Sequence, residues 1–101
     1  MHIYRHTNSW DNTCCFYVHG PLGYLHQDGA WRNSTNHLGR YTGFFETHRE
    51  AEMAMIKCVA KDMTGLNGLN EEEAFSLLKT LYFLHGKDME MIKQVVISGQ
   101  F

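Results

Sequence analysis

A chain of 101 residues that is 44% apolar and 20% charged is too apolar for a disordered segment and has the size of one domain. Its formal charge of −2 excludes the basic excess of a general nucleic-acid binder. Three cysteines, with Cys14 and Cys15 adjacent, exclude a paired disulfide framework, and no apolar run has the length of a membrane span.

The charge distribution says more than its sum. All four arginines (Arg5, Arg32, Arg40, Arg49), both tryptophans and six of the seven histidines fall in residues 1–49. All five lysines fall in residues 50–101, among eight acids. Arginine and aromatic side chains serve recognition, whereas lysine, glutamate and leucine serve helices. The pattern predicts one domain over 1–101, with a sheet-plus-helix recognition half (1–63) and a helical hairpin (64–101). The start, MHIYRHTNSW, lacks the apolar core of a signal peptide, so a cytoplasmic location is expected.

In chain order, residues 2–7 alternate around Ile3 and predict an edge strand. Residues 8–12 form a turn around Trp10, and the β-branched and aromatic run 13–19 predicts a second strand. Gly20-Pro21 punctuates before a short strand at 22–26. Asp28-Gly29 is a hairpin signal, with residues 30–34 returning from it. Residues 33–40 read as a polar loop, and 41–45 as a last strand. Thr47 and Glu50 have capping-box spacing, so a helix is expected over 48–62, with Ala51, Ala54, Met55, Cys58 and Val59 on its apolar face. Residues 64–70 form a connection. Asn70 caps a second helix with an Ala74, Leu77, Leu78, Leu81 stripe, ended at Gly86. Asp88 caps a third with Met89, Ile92, Val95 and Val96 apolar, after which Phe101 docks or frays. Strands before helices give an α+β fold: a small antiparallel sheet of three to five strands (2–45), packed by helix 48–62 and followed by a helical hairpin (70–97).

Three kinds of chemistry can be set against this frame. Seven histidines invite a metal, but no paired-ligand spacing occurs, so no metal or cofactor is expected. Cys14, Cys15 and Cys58 fall on a strand or an apolar helix face and read as structural thiols. His26, His37, Arg40 and Tyr41 contain the acid, base and phosphate clamp of a metal-independent ribonuclease. The densest run of flat and hydrogen-bonding side chains is Trp31, Arg32, Asn33, Ser34, Thr35, Asn36, His37, Arg40 and Tyr41, a composition like that of a paratope. If Trp31 faces the core, its strand neighbour Arg32 points the other way. The helical half carries more apolar side chains than one stripe needs, which suits a homodimer.

The run Tyr24-Leu25-x-x-Asp28-Gly29-x-Trp31, followed by Gly43-Phe44-Phe45-x-Thr47-x-x-Glu50-Ala51-Glu52-x-Ala54, resembles small bacteriophage and mobile-element proteins across residues 17–56. The resemblance implies a binder or inhibitor of host machinery without catalysis. The expected function is therefore a small non-enzymatic, phage-type accessory or anti-defence (anti-CRISPR-like) protein. It would occlude a host protein in the host cytoplasm through residues 31–41. The alternatives are sequestration of a nucleotide or cyclic-nucleotide messenger by an oligomer, and the ribonuclease.

Overall fold

The computed structural model describes residues 1–86 and 88–99; the expectation for Phe101 lies outside them. Four antiparallel strands come first: β1 (His2–Thr7), β2 (Cys14–Gly20), β3 (Gly23–Leu25) and β4 (Trp31–Arg32), in sheet order β1-β2-β3-β4. Three helices follow: α1 (His48–Asp62), α2 (Glu71–Leu84) and α3 (Met89–Ser98), with a short 3-10 turn at Leu66–Gly68. This is the α+β order expected. The chain divides into two compact units, Met1–Met55 and the residues from Ile56 on, and the division falls inside α1.

The sheet register follows from two turns. Gly20 faces Gly23 across the Pro21-Leu22 turn, and Gly23 adopts φ +107°. A Cβ at Gly23 would strike the Arg32 carbonyl, so both backbone conformation and space call for glycine there. Across the second turn, Tyr24 pairs with Arg32 and Leu25 with Trp31. Strand alternation then sorts the side chains. Ile3, Phe16, Val18, Leu25 and Trp31 share one face, on which Val18 and Leu25 are fully buried. Phe16 on this face meets the His48 ring at the first turn of α1, 5.4 Å away and edge-on. The other face carries His2, Tyr4, His6, Tyr17, His19 and Tyr24.

The expected last strand at 41–45 does not form. Phe44 N–H donates to the Tyr41 carbonyl, closing a turn, and Thr42's carbonyl accepts from Gln27 N–H. Only Phe45 joins the sheet, exchanging both backbone hydrogen bonds with Phe16 at 2.8 and 2.7 Å. Gly43 explains the bend. Its N–H donates to the Thr35 carbonyl at 3.0 Å, and a Cβ there would lie 2.8 Å from the Thr35 Cα.

The helix bounds match their capping chemistry. Glu50 N–H donates to Thr47 Oγ1, but the Glu50 carboxylate accepts from Glu46 N–H rather than from Thr47, so only half of the expected box forms at α1. The complete box is at α2, between Asn70 and Glu73. The buried stripe of α1 is Ala51, Met55, Ile56, Val59 and Ala60, and Met63 just past its end is buried too. Ala54 and Cys58, expected on the same face, are only half-buried. In the second unit the α2 stripe narrows to Ala74, Leu78 and Tyr82, and the α3 stripe to Met89, Ile92 and Val96. Asn67 Nδ2 donates to the Val96 carbonyl at 2.8 Å, satisfying one of the last orphan carbonyls of α3.

Candidate functional site

One buried side chain braces the polar run 31–41 against the hairpin. His26 is fully buried at the hairpin turn. Its Nε2 donates to the Ser34 carbonyl at 2.7 Å, because a carbonyl only accepts. Its Nδ1 bonds Thr42 Oγ1 at 2.6 Å. This imidazole ties the hairpin to both ends of the loop. Within the loop, Ser34 Oγ accepts from Asn36 N–H, and Asn36 Oδ1 accepts from Gly39 N–H. His37 and Arg40 exchange backbone bonds across Leu38 and Gly39, whose φ values of +54° and +82° suit a tight two-residue turn. The loop is thus folded by its own polar groups, which accounts for much of its composition.

The residues singled out from sequence separate accordingly. Trp31 lies on the core face, paired with Leu25, and Arg32 points to the opposite face, as strand alternation requires. Arg32 is not a free clamp: its guanidinium donates to both Asp28 oxygens, at 3.1 and 2.9 Å. That bidentate contact, helped by the Ala30 N–H, holds the Asp28 carboxyl well below the usual carboxylate range. Asn33 and Ser34 are exposed, and Thr35 and Asn36 half-buried. His37 sits 6.2 Å from the His26 ring, edge-on. Leu38, Arg40 and Tyr41 project, with Leu38 89% and Tyr41 64% exposed. His26 has no exposed surface to offer a substrate as acid or base.

What sequence reading missed is the open face of the sheet. Tyr4 and Tyr17, paired across β1 and β2, stack at 5.3 Å and 21°. Tyr17 also meets Tyr24 at 5.6 Å and Phe44 at 5.9 Å. His19 packs on Tyr24 at 4.8 Å, and His6 on Phe44 at 5.3 Å. His2 adjoins Tyr4, and Tyr41 adjoins Phe44, linking the loop to the network. Eight rings therefore form one continuous surface, on which Tyr4 is 43% exposed and His2, His6, His19 and Tyr41 are exposed. The signal was legible: His-x-Tyr-x-His in β1 and Tyr-x-His in β2 place aromatic rings on every second residue.

The face holds little net charge. Arg32 at its β4 margin is neutralised by Asp28. Arg5 lies on the other face, where its Nε and Nη2 donate to Cys14 Sγ at 3.3 and 3.1 Å. Those bonds and the Thr7 hydroxyl lower the Cys14 thiol pKa, whereas burial, with Cys14 beside it, raises that of Cys15. Among the described residues no three His, Cys, Asp or Glu side chains converge as metal ligands, and no helix is long and apolar enough to cross a membrane. Compared with known proteins, the chain matches no family model, no curated protein and no solved structure.

Proposed function

We propose that the protein is a small non-enzymatic binder that occludes a partner protein, as phage-type anti-defence proteins do in the cytoplasm of a bacterial host. Its contact surface is the aromatic face of the sheet, extended by Arg40 and Tyr41. The observation that carries this reading is the open eight-ring network, built on a rigid sheet. Tyrosine and histidine offer large contact area with polar edges and few rotamers to freeze, the chemistry of protein-binding surfaces. A protein partner fits this face better than a phosphate-bearing ligand, because Arg32 is already engaged by Asp28 and Arg5 lies on the other face.

The test is affinity capture from bacterial lysate with chemical crosslinking, followed by titration of the captured protein against variants. Tyr4→Ala and Tyr17→Ala should each weaken binding by about 2 kcal/mol, roughly thirtyfold in Kd, with the fold retained by circular dichroism. Arg40→Ala should weaken it less. Equal capture by wild type and both tyrosine variants would sink the reading. Thermal-shift screening with nucleotides checks the messenger alternative: a ligand at 100 times its Kd adds about 2.7 kcal/mol of stability.

A further inference from the structure

The β1 edge has a definable hydrogen-bonding phase. Phe16 exchanges both backbone bonds with Phe45, so its N–H and C=O point away from β1. Alternation along β2 then turns Cys15, Tyr17 and His19 toward β1, where they face His6, Tyr4 and His2. The N–H and C=O groups of Ile3, Arg5 and Thr7 therefore point outward, at the end of the sheet. Among the described residues none of these groups has a backbone partner. The strand is six residues long, with continuous register and no proline, lysine or bulge to guard its edge. Its one cation, Arg5, is folded onto Cys14 and does not stand across the edge.

The geometry points to a second copy of this chain as the neighbour of β1. The two strands pair antiparallel about a two-fold axis at Tyr4, making one eight-stranded sheet. The register follows from the side chains. Centring on Arg5 would set Arg5 against the partner's Arg5, a like-charge pair. Centring on Ile3 would leave Arg5, His6 and Thr7 all beyond the partner's β1. Centring on Tyr4 pairs Ile3 with the partner's Arg5 and keeps residues 2–6 opposite the partner's β1, with only Thr7 reaching past it. Tyr4 then opposes the partner's Tyr4 in a non-hydrogen-bonded pair, the closer of the two antiparallel spacings. Both rings lie on the open face, so the two aromatic networks join and the partner copy supplies half of the surface. This dimer stands apart from the partner-protein reading: capture unchanged by Tyr4→Ala and Tyr17→Ala with an intact dimer strikes that reading alone, and a monomeric chain strikes this one alone.

Sedimentation of the full chain tests it. The expected mass is twice 11.7 kDa. Arg5→Pro removes an outward N–H and no backbone bond to β2, and it loses the same guanidinium bonds to Cys14 as Arg5→Ala, so it should return the mass to 11.7 kDa, whereas Arg5→Ala should leave the dimer. Should Arg5→Pro fail to fold, a cysteine pair decides. In a chain with Cys14, Cys15 and Cys58 changed to serine, Tyr4→Cys should oxidise to a disulfide-linked dimer at least tenfold faster than His6→Cys. Equal rates, or a monomer at the highest soluble concentration, would overturn the proposal. So would a dimer that survives Arg5→Pro and dissociates on Leu84→Glu or Ile97→Glu, at the exposed apolar positions of the helical unit.

Discussion

The two faces of one small sheet use similar side chains to opposite ends. On the core face, Phe16 and Trp31 lie beside Val18 and Leu25 and are partly or wholly withdrawn from water. On the open face, Tyr4, Tyr17 and Tyr24 pack against one another and against histidines, with Tyr4 exposed and Tyr17 and Tyr24 half-buried. The difference is the polar handle. A phenylalanine or leucine gains only by burial, while a tyrosine or histidine keeps a hydrogen-bonding group wet. Rings that pack without being covered are already ordered, so a partner meets them at low entropic cost.

The comparison can be broken at several points. The largest effect is expected on the core face, where Leu25→Ala should cost about 3 kcal/mol in urea denaturation, since a fully buried leucine leaves a cavity. Next is the junction of the hairpin with its loop. His26→Ala should cost about 2 kcal/mol by leaving the Ser34 carbonyl and Thr42 hydroxyl without their partner, and proteolysis should then cut within 34–42. On the open face, Tyr4→Ala should cost about 1 kcal/mol, the loss of one ring stack, while weakening binding far more than stability. A cost at Tyr4 equal to that at Leu25 would make the open face structural rather than functional. The smallest effect concerns the Asp28–Arg32 pair. Its folded-state carboxyl pKa is depressed, so its contribution is present above the unfolded aspartate value of about 4 and is lost as pH falls through the lowered folded value. Denaturation midpoints measured from about pH 4 downward should fall more steeply in wild type than in Asp28→Asn.

The candidate site was only partly legible from the residues. Trp31 and Arg32 stand on opposite faces, as alternation demands, but nothing local announced that Asp28, four residues back, would occupy the guanidinium. The run Arg32–Arg40 has no folding reason in its own local pattern. Its reasons are its own Ser34 and Asn36 bonds and His26, whose ring bonds Ser34 within the run and Thr42 just past it. Tyr41–Phe45 had the composition of a strand and became a turn, because Gly43 fits against Thr35 only with the backbone bent.

By itself, the sequence determined the local features: β1, the helix bounds, the Asn70 and Asp88 caps, the hairpin at Asp28-Gly29 and the α+β order. Each depends on residues within a few positions of one another, where propensity, capping and turn geometry act directly. Tertiary structure alone decided which aromatic rings remain open and which loop groups are spent on folding. Those outcomes depend on strand register and on contacts between distant residues, Phe16 with Phe45 and His26 with Thr42, and no local pattern encodes them.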